Sequence, residues 1–200
     1  MATPRIAVII ASTRTSRFGG KPADWLWSKL QDRDDMRFER IDLRDHPLPF
    51  FDEAASNAFV ETKDPAARAW QDLVRPFDGY IFVTPEYNHS IPGAFKNALD
   101  QAYVEWNHKP MGALAYGSMG GARALEHLRM IAVELQMVPV RSAVHIGGAD
   151  FFKVSPIGED APISAIEDNI APSLDAMLDD LKWWAEATMA ARAEDERKAG

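Results

Sequence analysis

Three short segments concentrate the chemistry-bearing residues of this chain. The first is Ala11-Ser-Thr-Arg-Thr-Ser-Arg-Phe-Gly-Gly20, with four hydroxyls, two guanidinium groups and a run of backbone amides ahead of a helix. An anion is favoured there by unpaired N–H groups and the positive end of the helix dipole. Arginine adds bidentate contacts to oxygen. The spacing fits neither G-x-G-x-x-G nor G-x-x-x-x-G-K-[ST], which disfavours a Rossmann dinucleotide site and a P-loop. A polar capping loop with solvated arginines fits the same residues equally well, so the segment alone leaves both readings open.

The second segment is Thr84-Pro-Glu-Tyr-Asn-His-Ser-Ile-Pro-Gly93. Two prolines stiffen it, and its amides and polar side chains can face a flat heteroaromatic ring. A Glu86/His89 pair in a loop is more simply a hydrogen-bonding pair than an acid–base or metal site. The third segment, Tyr116 to Gly121, is nearly free of side chains around Ser118. Glycine there lets the backbone approach a ligand closely, although a tight strand-to-helix turn needs it as well. His46, His108, His127 and His145 are too scattered for a metal site, and no catalytic side chain or metal ligand is assigned.

These segments need elements to position them. Arg5-Ile-Ala-Val-Ile-Ile10 is a β-branched run suited to a strand buried on both faces. Ala23, Leu26, Trp27 and Leu30 follow at helical spacing, with Pro22 in the first turn. Phe38–Leu43 predicts a more polar edge strand, and residues 44–57 a loop. Ala66, Trp70, Leu73, Val74 and Phe77 mark a second helix. Gly79–Val83 is a third strand, and Pro92 opens a helix carrying Phe95, Ala98 and Leu99. Met111–Tyr116 is a fourth strand, followed by a helix with Leu125, Leu128, Ala132 and Leu135. Val138–Ile146 is the last strand, and Pro172 begins a long closing helix. Strands alternating with helices predict a doubly wound, five-stranded parallel sheet of order 2-1-3-4-5, with helices on both faces. In such a sheet ligands bind beyond the carboxyl ends of the strands, where all three segments lie.

The bulk properties fit that picture. The chain has 200 residues, 46% of them hydrophobic, and its 22 basic and 30 acidic residues leave a net charge of −8. This length predicts one domain, residues 1–192, burying about 70% of its unfolded surface. The charged stretch 193–200 is expected to fray. Cysteine is absent, which excludes disulfides and thiolate sites and suits a reducing cytoplasm. The acidic balance disfavours nucleic acid, and no apolar run is long enough for a membrane span. The six tryptophans belong to core or subunit contacts. Trp106 follows the helix after the second segment and packs in the core or borders a ligand; Phe50 and Phe51 are expected to cover the site from a partner subunit.

Taken together, the Ser-Thr-Arg loop, Thr84-Pro-Glu-Tyr-Asn-His-Ser-Ile-Pro-Gly-Ala-Phe-Lys-Asn-Ala-Leu-Asp100 and Tyr116-Gly-Ser-Met-Gly-Gly121 resemble the NADPH-dependent FMN reductase family. That family includes flavodoxin-like quinone, chromate and azo-dye reductases. The resemblance runs from about Arg5 to the closing helix and implies a flavodoxin-like fold, FMN as cofactor and NAD(P)H as co-substrate. By motif it assigns Ser12, Arg14 and one or both of Ser16 and Arg17 to the FMN phosphate. Pro85, Glu86, Tyr87 and Asn88 would line the flavin ring, and Gly117, Ser118 and Gly120 would close its other side. Many relatives have glycine where Ala11 stands, and serine or glycine where this chain has Ser16-Arg17, so the choice between those two stays open. No residues carry over for the pyridine nucleotide.

The leading expectation is a ping-pong oxidoreductase passing electrons from NAD(P)H through FMN to a small-molecule acceptor: a quinone, free flavin, azo compound or metal oxyanion. The cofactor would perform the chemistry and the protein would orient it. The resemblance also implies a homodimer or homotetramer. A flavodoxin-like electron carrier is the alternative, since acidic charge suits docking to a basic redox partner. Against it, the arginine-bearing loop differs from the hydroxyl-and-glycine loop of carriers. A flavin-free binding module fits least, because all three segments are intact.

Overall fold

A computed structural model describes residues 2–199. Its first strand, β1 (Arg5–Ile10), is apolar after its first residue and buried on both faces. Two strands flank it in parallel: β2 (Arg37–Asp42), with Ile6 opposite Phe38, and β3 (Gly79–Pro85), with Ile6 opposite Gly79. Next comes β4 (Pro110–Tyr116), with Phe82 opposite Ala113. The fifth position is shared by β5 (Val138–Pro139) and β6 (Val144–Ile146), both parallel to β4. The order is therefore β2-β1-β3-β4-β5, as the alternating pattern predicts.

Helices α1 (Gly20–Leu30) and α6 (Glu167–Ala199) cover one face, burying Leu26, Leu174, Met177, Leu178 and Leu181 on Val8 and Ile81. The other face carries α2 (Pro65–Val74), α3 (Gly93–Asp100) and α4 (Ala122–Glu134). Asp64 caps α2 by accepting the Ala67 N–H at 2.9 Å, with Pro65 in the first turn, where a missing N–H does no harm. Trp106 is fully buried, packed edge-on against Tyr80 at 4.8 Å, and donates to the Leu99 carbonyl at 3.1 Å. It is a core residue.

The structure differs from the sequence expectation in three places. The single strand predicted over Val138–Ile146 is two short ones. Pro139 has no N–H to donate, and Arg129 takes the Val140 and Arg141 carbonyls at 3.3 and 2.7 Å. A two-turn helix, α5 (Gly148–Val154), is too short to show a period in the sequence. The closing helix begins at Glu167 and has Pro172 inside it. Ile170 and Leu174, buried on either side of the proline, offset the bond it removes. That helix also runs through 193–199, the stretch expected to fray. Arg192 secures it with 2.7 Å bonds to the His108 carbonyl and Asp78.

Candidate active site

The loops that leave β1, β3 and β4 meet at the carboxyl edge of the sheet because those strands are adjacent. The first is tied to β3 by the Ala11 N–H, which donates to the Val83 carbonyl at 2.9 Å. Ser12 is fully buried, and its Oγ shares a 3.0 Å hydrogen bond with Tyr87 Oη. Arg17, expected at a phosphate, turns inward. Its Nη1 donates to the Ser12 carbonyl at 2.7 Å and to Asp42 Oδ1 at 2.6 Å, and its Nη2 pairs with the other carboxylate oxygen. The Arg17 side chain is 7% exposed, so this ion pair stitches the loop to the end of β2. Hydrogen bonding to Asp42 raises the guanidinium pKa further, against the opposing effect of burial. Burial pushes the Asp42 carboxyl up, but Arg17 and the Arg44 N–H outweigh it and hold the group below its usual value.

Ser16 and Arg14 are exposed. Among the described residues Arg14 has no carboxylate within ion-pair distance; its guanidinium carbon lies 5.7 Å from the Tyr87 ring centroid, with Nη1 3.5 Å from Oη. Behind the loop, Tyr116 Oη stands so close to Gly19 that a Cβ there would be 2.4 Å away. Burial, reinforced by the neighbouring Tyr87, raises the Tyr116 phenol far above its ordinary value, so it stays protonated.

The second loop is a miniature hairpin. The Tyr87 N–H donates to the Ser90 carbonyl at 2.9 Å and the Ser90 N–H returns the bond at 3.0 Å. Asn88 and His89 occupy the tip at φ 51° and 70°, the mirror-image turn that matches strand twist. Asn88 tolerates that conformation; His89 is held in it by Arg123, whose Nη1 donates to Nε2 at 2.8 Å. The Glu86 side chain, 5% exposed, takes the Arg123 guanidinium and also accepts the Arg123 N–H at 3.2 Å. One turn along α4, His127 Nδ1 shares a 2.5 Å bond with Ser90 Oγ. Sequence reasoning missed Arg123. Its signal is a cation in the first turn of a helix, where it opposes the dipole and therefore calls for a carboxylate.

The third loop presents main chain. Gly117, Gly120 and Gly121 have φ of 151°, 71° and 67°. The Gly120 N–H donates to the Gly117 carbonyl at 2.9 Å, and the Gly120 carbonyl accepts from His145 Nδ1 at 2.8 Å. Ser118 is exposed, with its carbonyl taken by the Gly148 N–H at 3.0 Å. The Glu86 N–H donates to the Tyr116 carbonyl at 2.9 Å, so Pro85, Glu86, Gly117 and Ser118 form one wall. The structure thus brings together Ser12, Arg14 and Tyr87 at one end, and Pro85, Glu86, Gly117, Ser118 and Gly120 at the other. Asn88 sits at the hairpin tip.

A cleft of about 490 Å³ continues from Thr13 past Leu43, Arg44, His46 and Phe50 to the start of α3. Its outer rim is fixed: the Pro49 carbonyl accepts from Asn97 and Gln101 at 2.8 and 2.7 Å, and the Phe51 N–H donates to Asn97 at 3.0 Å. Phe50 is 87% exposed.

Comparison with known proteins now bears on this arrangement. A family model described as NADPH-dependent FMN reductase matches residues 4–150. The chain is 35% identical over 194 residues to the NAD(P)H-dependent FMN reductase ntnL of a Nectria species, covering 92% of this chain and 88% of that one. It is 33% identical over 141 residues to a 2-hydroxy-1,4-benzoquinone reductase of a Burkholderia species, covering 67% and 73%. Among solved structures it resembles FerB, a flavoenzyme NAD(P)H:(acceptor) oxidoreductase from Paracoccus denitrificans, with TM-score 0.67, 22% identity and coverage of 92% and 98%. That last likeness is one of fold.

Proposed function

Because the chain belongs to the NADPH-dependent FMN reductase family, we propose that it is an oxidoreductase passing electrons from NAD(P)H through bound FMN to a quinone or another small acceptor in a ping-pong cycle. One observation carries this reading. A buried serine hydroxyl and an arginine with no carboxylate partner among the described residues stand at one end of the edge, and a wall of glycine backbone stands at the other. That donor set fits a phosphate joined to a flat ring.

Ser12 and Arg14 would hold the phosphate, with exposed Ser16 within the same loop. Arg17 would shape the loop through Asp42. Pro85, Glu86 and Asn88 would lie along the ring, and Gly117, Ser118 and Gly120 would back it with main chain. FMN, when bound, supplies the two-electron chemistry, taking a hydride from NAD(P)H and returning electrons to the acceptor. The protein supplies orientation and exclusion of water, and no side chain is required as nucleophile. The Glu86–Arg123 pair holds a compensated charge near the ring end. Assembly into a homodimer or homotetramer is part of the reading, supported by the exposed Met130 and Val133 on α4 and Trp183 on α6.

The test is to load the protein with FMN, remove oxygen, add NADPH or NADH, and follow the flavin absorption band. Rapid bleaching, followed by reoxidation with a quinone, is expected. A bound band that neither nucleotide bleaches would favour an electron carrier instead.

A further inference from the structure

We propose that Tyr87 reads the phosphate end of the cofactor and selects FMN over unphosphorylated flavin, an inference that rests on the FMN-dependent reading above. By motif, Tyr87 belongs beside the ring with Pro85, Glu86 and Asn88. Its side chain instead crosses to the first loop. Oη lies 3.0 Å from Ser12 Oγ and 3.5 Å from Arg14 Nη1, and the Arg14 guanidinium sits 5.7 Å from the ring centroid.

The backbone anchors the starting point of that side chain. The Tyr87 N–H and carbonyl both bond Ser90, and the neighbouring Glu86 N–H bonds the Tyr116 carbonyl. The Cα is therefore held in place, and from there the side chain takes the rotamer that carries its hydroxyl to Ser12 and Arg14. Arg14 packs on the same ring, so one side chain both donates a hydroxyl and positions the cation.

The charge balance makes that hydroxyl matter. Of the two arginines in the loop, Arg17 is already neutralised by Asp42. A phosphate would meet the Arg14 guanidinium, and backbone amides and hydroxyls of the loop and of Tyr87 would supply the remaining recognition. Ser12 Oγ and Tyr87 Oη share one hydrogen bond, which leaves one proton of the pair to donate onward, and half-buried Tyr87, unlike fully buried Ser12, reaches the surface with it. Given to a phosphate, it makes a charge-assisted O–H to oxyanion bond. Riboflavin offers only a neutral 5′-hydroxyl in place of the phosphate, so the bond it can accept there lacks the charge assistance.

The experiment measures dissociation constants for FMN and for riboflavin by flavin fluorescence, using the unmutated protein and Tyr87→Phe. The ³¹P resonance of bound FMN is recorded for both. Tyr87→Phe keeps the ring and removes one half-buried hydroxyl, so the fold stands, which circular dichroism checks. The expected result is FMN binding weakened roughly ten- to a hundredfold, riboflavin binding within twofold of the unmutated protein, and a shifted ³¹P resonance. Equal loss for both flavins would place Tyr87 against the ring and overturn the inference. So would FMN binding that is unchanged or tighter. If the unmutated protein binds neither flavin, the proposed function itself fails and this inference fails with it; if it binds FMN tightly and only the Tyr87→Phe result disagrees, the function stands and the inference alone falls.

Discussion

The residue types of the first loop were legible because they are local: hydroxyls and guanidiniums beside a helix start suit an anion or plain solvation, and the family resemblance alone names Ser12 and Arg14 for a phosphate. The pairing of Arg17 was not legible, because its partner Asp42 lies 25 residues away at the end of another strand. Nothing in the loop itself distinguishes a guanidinium that waits for a ligand from one already paired. The pair makes a stability prediction. Asp42 has a folded pKa below its ordinary 3.8, so its contribution is present above that pH and is lost as pH falls through the folded value. Asp42→Asn should lose about 2–3 kcal/mol at neutral pH, since it leaves a mostly buried guanidinium without its counter-charge. Urea titrations from pH 6 downward should show the gap between the two proteins shrinking below the carboxylate range. A gap that persists unchanged at low pH would mean that the ion pair is not its source.

The strands β1, β3 and β4 announced themselves because burial on both faces demands continuous apolar runs. The fifth position and α5 did not, because two- and three-residue strands and a two-turn helix carry no period. Turns were legible only as composition. The glycines at 117–121 marked a tight passage, whereas their separate tasks emerge only in the folded loop. Gly121 illustrates this: at φ 67° it starts α4, and a Cβ would stand 2.7 Å from both Ala115 Cβ and the Tyr116 nitrogen. Gly121→Ala combines a left-handed alanine, about 1–2 kcal/mol, with a clash against main chain. A loss of at least 2 kcal/mol is therefore expected, together with weaker flavin binding as the third loop shifts. Thermal unfolding and flavin titration of the variant check both effects.

Across the whole molecule, the candidate site occupies the carboxyl edge while the opposite edge holds a buried cation. Lys109 Nζ donates to the Arg75 carbonyl at 2.7 Å and lies 3.3 Å from Tyr80 Oη. Burial, helped by Arg192, lowers its pKa from 10.5 to about 8. The unfolded chain therefore binds more protons between those values, and the contribution of Lys109 to stability rises with pH across that window. Relative to Lys109→Met, the unmutated protein should gain up to about 3 kcal/mol between pH 8 and 10.5; a flat difference would refute the burial argument. Association is also a property of the whole: light scattering at working concentration should give two or four chains, and a monomer would leave Met130, Val133 and Trp183 without a role. The interrupted fifth position has a consequence of another kind. A strand arriving from a second, misfolded molecule would find only the two residues of β5 or the three of β6 to pair with, and an arginine already on the carbonyls between them. Such an edge resists templated fibril growth, and the bend at residues 141–143 is the point where a foreign peptide could be spliced in without cutting a ladder.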